Sequence, residues 1–226
     1  TTHAVVVGSA VRRDLIDVGI VTEERSTMIP PGIRDAAGGV IPDRCGVKHG
    51  SLLVGFIGRL TAIKRPDRFV DVARSLSSDR ADVDFVIVGD GPLGDEVRSS
   101  SSALSNIQCV GWRRDIAPVL AALDVLVMCS DNEGIPLTLI EAAQHGVATV
   151  TTDVGSVRDI VDHERTGLVT ETTVEALSDA VRRLVDDGAL RSRLGAAARD
   201  HAQSSFGVVE AQRRHRELYR RLVKSR

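Results

Sequence analysis

A doubly wound, Rossmann-like α/β domain with a parallel sheet is the fold class this sequence predicts, on three observations. Short runs of Val, Ile, Leu and Phe lack polar alternation, helix-length stretches separate them, and turns containing Gly follow the same end of several runs. Strands buried on both faces read as continuous apolar runs, and each parallel neighbour needs a crossover that is usually a helix. The 226 residues suffice for a full core.

The first apolar run, at residues 4–7, is a short strand, with Ser9 expected to cap a helix reaching about residue 18. A second short strand follows at 27–29 and ends in Pro30-Pro31-Gly32. This β-α-β piece, residues 1–31, has no partner sheet of its own, and the Gly-, Pro- and Asp-rich stretch 32–50 reads as a linker. Regular alternation occupies 51–204, with strands at 52–57, 83–88, 107–110, 125–128, 148–152 and 168–169. Helices fall at 67–76, 93–104, 116–123, 136–145, 156–161, 174–185 and 190–203, and a basic helix at 208–224 turns Leu218, Tyr219 and Leu222 inward.

Composition narrows the function. Hydrophobic residues at 42% and charged residues at 27% exclude a disordered chain, and a formal charge of −2 opposes general nucleic-acid binding. No apolar run reaches the ~18–20 residues of a membrane span and no charged-then-apolar leader is seen; the expected location, cytoplasmic, rests on cysteines read as reduced, buried side chains. Cys45, Cys109 and Cys129 lack metal-ligand spacing and are expected to be reduced, the six histidines are scattered, and no metal site is expected.

In a doubly wound sheet, ligands sit beyond the carboxyl ends of the strands. Gly58-Arg59, Gly89-Asp90-Gly91, Gly111-Trp112-Arg113 and Ser130–Gly134 all follow strand ends and converge on one rim. The helix at 136–145 opens with Pro136 at its first position and stops at Gly146. The free N–H groups of Leu137 and Thr138, with the helix dipole, suit phosphate. Glu133 lies just before that helix and Glu141 two turns inside it, as acceptors for sugar hydroxyls. Arg59 and Lys64, alone, would be solvated loop charges, but sharing a rim with this helix start makes them a diphosphate site.

Two other motifs compete. Gly89-Asp90-Gly91-Pro92-Leu93-Gly94 matches the dinucleotide fingerprint between strand and helix, which keeps open a non-catalytic nucleotide- or NAD(P)-binding module. It falls on the second strand of the domain, and Gly111-Trp112-Arg113 stands where a ribose-binding carboxylate should end the next strand. Asp82-Val83-Asp84 lies at the start of a strand, away from the rim, and reads as surface.

The spaced set Gly58-Arg59 with Lys64, Val88-Gly89-Asp90-Gly91-Pro92, Val110-Gly111-Trp112, Ser130, Glu133 with Glu141, Thr152-Asp153-Val154-Gly155-Ser156 and Thr166-Gly167-Leu168-Val169 resembles the C-terminal, donor-binding domain of a family 4 retaining glycosyltransferase of the GT-B fold. The resemblance implies metal-independent transfer of a hexosyl group from a UDP- or GDP-sugar to a sugar, lipid-linked or small-molecule acceptor, as in polysaccharide biosynthesis, with no cofactor. It implies catalytic roles for Arg59, Lys64 and Glu133, with Gly58, Gly91, Gly134, Ile135, Leu137 and Thr138 around the donor. It further implies that Glu141 holds the ribose and the backbone at Arg113 reads the base. Pro136 departs from the pattern, since many relatives carry Gly there. By the same resemblance residues 1–31 are the last piece of an N-terminal acceptor domain and helix 205–226 crosses back to it; separately, the basic residues of that helix would suit a peripheral contact with an anionic membrane. The chain alone is then expected to be inactive.

Overall fold

The computed structural model describes residues 3–34, 40–47 and 50–224. Six parallel strands form the main sheet: β3 (Leu52–Ile57), β4 (Val83–Val88), β5 (Ile107–Gly111), β6 (Val125–Met128), β7 (Ala148–Thr152) and β8 (Leu168–Thr170). Their spatial order is β5-β4-β3-β6-β7-β8, so the direction of winding reverses between β3 and β6. The crevice beyond the carboxyl ends of those two strands is where such a sheet offers a site.

The two-residue period of a strand explains the apolar runs. Val54 and Phe56 of β3, Phe85 and Ile87 of β4, and Val125 and Val127 of β6 point to one face. Leu53, Val86, Val88 and Leu126 point to the other. Both faces are covered, one by α2 (Pro66–Ser77), α3 (Gly94–Ser101) and α6 (Val174–Asp186), the other by α4 (Ala117–Leu120) and α5 (Leu137–Gln144), while α7 (Gly188–Phe206) contributes Leu190 and Leu194 to the first and Ala198, Ala202 and Phe206 to the second. Phe69 of α2 is fully buried between Phe56 and Phe85, its ring centroid 5.7 and 6.0 Å from theirs. Leu139 and Ile140 of α5 are buried too. At about 1.5–3 kcal/mol each, they fix the helix whose start faces the crevice.

A separate two-stranded parallel sheet joins β1 (Ala4–Val6) to β2 (Ser26–Met28) through α1 (Ser9–Asp17). The last helix, α8 (Val208–Lys224), begins where Ile33 and Gly207 form an isolated bridge.

Several boundaries differ from expectation. Ser9 does not cap α1; Gly8 is the N-cap and has no side chain to offer, and the exposed donors find acceptors elsewhere in the chain. The stretch 156–161 contains only a 3-10 turn at Val157–Asp159, and α3 and α4 stop short of residues 104 and 123. Another 3-10 turn, Ala62–Lys64, ends at Arg65 in the left-handed region, φ 50°. On α8, Leu218 is buried as expected but Tyr219 is exposed, its ring centroid 6.2 Å from that of His215. Parts of the expected linker, 35–39 and 48–49, lie outside the described residues.

Candidate active site

The loop leaving β6 carries Glu133, and neighbouring groups hold it firmly. Ser130, itself buried, donates from Oγ to Glu133 Oε1 at 2.6 Å, and Thr152 Oγ1 donates to the Ser130 carbonyl at 2.7 Å. Lys64 Nζ lies 2.5 Å from the same Oε1. From behind, the Ser156 N–H donates to the Glu133 carbonyl at 3.2 Å. Gly155 has φ +55°, and a Cβ there would fall 1.7 Å from the Glu133 carbonyl oxygen, so only glycine permits this approach. Glu133 is 8% exposed, a carboxylate fixed at the rim and satisfied by a cation and a hydroxyl.

A second lock joins the loop bearing Lys64 to the loop bearing Glu133. The Asp131 N–H donates to the Ile63 carbonyl at 2.9 Å. The Asp131 carboxylate accepts from Arg68 Nη2 at 2.8 Å and Arg65 Nη1 at 3.2 Å. Burial pushes the Asp131 carboxyl up, but the two guanidinium hydrogen bonds outweigh it and hold the group below the usual carboxylate range. Arg68, only 6% exposed, also donates from Nη1 to the Cys129 carbonyl at 2.5 Å. Reasoning from sequence missed Arg68, whose one available signal was a cation within the apolar stripe of α2.

Between these loops and the start of α5 is a cavity of about 290 Å³ lined by Gly58, Arg59, Lys64, Glu133, Ile135, Leu137 and Thr138, among others. Pro136 is the N-cap of α5, with ψ 99°, rather than its first helical residue; Leu137 and Thr138 are therefore the first two. Their N–H groups carry no hydrogen bond among the described residues, while that of Leu139 is already spent on the Pro136 carbonyl at 3.1 Å. Arg59 is exposed and has no ion-pair or hydrogen-bond partner for its guanidinium among the described residues, unlike Arg65, Arg68 and Arg158. An unpaired guanidinium and two unpaired amide donors around one opening are the kind of donors an anion accepts from.

An adjoining cavity of about 200 Å³ shares Gly58 and Arg59 and continues to Gly89, Asp90, Trp112 and Arg113. Trp112, 70% exposed, stands at its edge. The G-x-G pair has a packing explanation: at Gly89, φ +145°, a Cβ would lie 1.8 Å from the Gly58 carbonyl oxygen, and at Gly91 one would lie 2.6 Å from that of Leu60. These glycines bring the loops after β3 and β4 together. Gly91 itself lines neither cavity, and Gly134 is exposed beside the first. Two larger clefts, of about 530 and 500 Å³, run along α1, β2 and α8 and share no lining residue with these two cavities.

Glu141 also lies outside both linings. It is half-buried on α5, its carboxylate has no partner among the described residues, and burial pushes its pKa up. A desolvated acceptor without a donor is what a ligand hydroxyl would relieve. At the opposite end of the sheet, Asp82 pairs with Arg80 and Asp84 accepts from Ser51, so both aspartates have structural partners.

Residues 51–187 match the family model described as glycosyl transferases group 1. The chain belongs to this family. Among its relatives, an Escherichia coli UDP-Gal:alpha-D-GlcNAc-diphosphoundecaprenol alpha-1,3-galactosyltransferase is 29% identical over 181 residues, 77% of this chain and 46% of that protein. A Mycobacterium tuberculosis GDP-mannose-dependent alpha-mannosyltransferase is 34% identical over 154 residues, 66% of this chain and 38% of that protein. The chain thus spans about half the length, or less, of these curated relatives. In fold it is similar to Anabaena Alr3699/HepE, solved in complex with UDP and glucose, with a TM-score of 0.86 and 20% identity over 97% of this chain and 63% of that one. WaaG, a glycosyltransferase involved in lipopolysaccharide biosynthesis, gives a TM-score of 0.80 at 22% identity, over 92% of this chain and 60% of that one. No described helix is long and apolar enough to cross a membrane.

Proposed function

We propose that this chain is the donor-binding half of a retaining, metal-independent family 4 glycosyltransferase that uses a UDP- or GDP-sugar. The observation that carries the reading is the cavity where the unpaired Arg59 guanidinium, the Lys64 ammonium and the free Leu137 and Thr138 N–H groups meet at the reversal of strand order. These groups supply positive charge where a diphosphate leaving group gains negative charge as its bond to the sugar breaks. Fixed charges and dipoles aimed at developing charge are the strongest catalytic contribution of this kind. In this reading no bound cation is needed, because side chains and the α5 dipole neutralise the diphosphate.

Glu133, with the backbone at Gly134 and Ile135, orients the sugar from the mouth of the cavity. Gly58 lies beneath the phosphates, Gly91 shapes the turn behind them, and Glu141 accepts from the ribose hydroxyls, which relieves its desolvation. The neighbouring cavity takes the base against the backbone at Arg113. Residues 1–31 and α8 belong with an N-terminal domain that binds the acceptor, so the chain alone does not turn over. The protein works in the cytoplasm, and the arginines along α8 favour a peripheral position at an anionic membrane face.

Titrating the chain with UDP-sugars and GDP-sugars in the presence of EDTA tests this reading. Binding without added divalent metal supports it, and binding that appears only with a divalent metal contradicts it.

A further inference from the structure

The α1 helix begins without a cap of its own, yet its first two amides are satisfied. The Ser9 N–H donates to Asp159 Oδ2 at 2.6 Å, and the Ala10 N–H donates to Ser156 Oγ at 3.1 Å. Both acceptors come from the turn after β7, about 150 residues away in sequence. The same Ser156 donates its own N–H to the Glu133 carbonyl. One residue therefore touches the start of α1 with its side chain and the Glu133 loop with its backbone.

The fit is close. A Cβ on Gly8 would lie 2.3 Å from Ser156 Oγ and 3.1 Å from the Gly134 carbonyl, and Val11 Cγ2 is 3.8 Å from where a Cβ on Gly134 would stand. Ser156 is buried, and Gly155 beside it tolerates no side chain because of Glu133.

We infer that Ser156 and Asp159 are positioning residues that cap α1 from the main domain and make the docking of the β1–α1 piece and the ordering of the Glu133 loop one cooperative unit. They touch no reacting group in the proposed function; they set how the small sheet stands beside the donor cavity. Helix caps normally come from the residue next to the helix. Supplying them from a distant loop makes the stability of the helix start depend on docking, so anything that orders the Glu133 loop also holds α1 in place. The coupling within the ligand-free chain does not depend on the proposed donor. Only its response to a nucleotide rests on that reading.

Hydrogen exchange on the full chain, without ligand, tests the inference using wild type, S156A/D159A and Asp159→Asn. In the double variant, amides of the first turn of α1 and of residues 131–135 are expected to exchange about fivefold faster or more, as for a lost cap, with β3 and β4 unchanged. Asp159→Asn keeps an acceptor oxygen and should recover most of the protection. Faster exchange confined to α1, or no change in either segment, overturns the coupling. If β3 and β4 also accelerate, Ser156→Ala alone must show the paired loss, and its failure to do so is equally decisive. UDP added to wild type should slow exchange in both segments together; absence of any UDP effect, with the ligand-free pattern intact, counts against the donor reading instead.

Discussion

Lys64 Nζ and Glu133 Oε1 are 2.5 Å apart, joining two loops that leave neighbouring strands β3 and β6. The pair is partly desolvated, and Ser130 donates to the same carboxylate oxygen. In the ligand-free chain the cation proposed for the diphosphate is thus held by the carboxylate proposed for the sugar.

Replacing Glu133 with Gln should separate those two roles. The variant frees Lys64 from its ion pair, so affinity for UDP or GDP alone is expected to stay within about threefold of wild type, under 1 kcal/mol. The additional affinity for the sugar-bearing nucleotide should disappear. Parallel titrations with UDP and a UDP-sugar, or the GDP pair, check this.

The Arg68 lock should matter for stability. Arg68→Ala removes two hydrogen bonds and leaves the Cys129 carbonyl and Asp131 less satisfied, a cost of about 1–3 kcal/mol in urea unfolding. The Asp131 carboxyl is held below its ordinary value of 3.8 in the folded chain. Its contribution is therefore present above the unfolded value and is lost as pH falls through the lower, folded one. Asp131→Asn should flatten that acid limb of the stability curve.

Glu141 has the opposite sign. Burial raises its pKa above 4.5, so its ionised form opposes folding; that penalty is absent below the unfolded value and grows as pH rises through the folded one. Glu141→Gln is expected to raise the Tm of the ligand-free chain at pH 7. It should also weaken nucleoside diphosphate binding by about 1.5–3 kcal/mol, the size of a hydrogen bond to a charged group. A variant less stable than wild type, with unchanged binding, would contradict both statements.

Gly155→Ala forces a Cβ into the Glu133 carbonyl. The loop must move, and affinity for the sugar nucleotide should fall while the far-UV spectrum stays that of a folded α/β chain. Circular dichroism with the same titration separates the two effects.

What could be read in the sequence depended on the range of the interaction. The six main strands declare themselves because their residues are apolar on both faces, and the rim follows from topology: Arg59, Lys64 and Glu133 are together because β3 and β6 are neighbours. Whether Lys64 is free or bound to Glu133 was not legible, since side-chain pairing across two loops leaves no periodic signal. Ser9 illustrates the same limit. Local rules made it a cap, whereas tertiary structure placed Gly8 there and supplied acceptors from Ser156 and Asp159. Tyr219 follows the helical spacing of Leu218 and Leu222 too loosely for its facing to be decided without the packed helix.

The most direct test of the proposed donor site is titration calorimetry of the chain with UDP, GDP, ADP and NAD(P)H, on wild type and on Arg59→Ala/Lys64→Ala. A nucleoside diphosphate is predicted to bind wild type and to lose about 2–4 kcal/mol in the double variant, as expected for removed charge-assisted contacts. Nucleotide binding that is unchanged by the double substitution, or binding of NAD(P)H in place of any nucleoside diphosphate, would contradict a diphosphate site at Arg59 and Lys64.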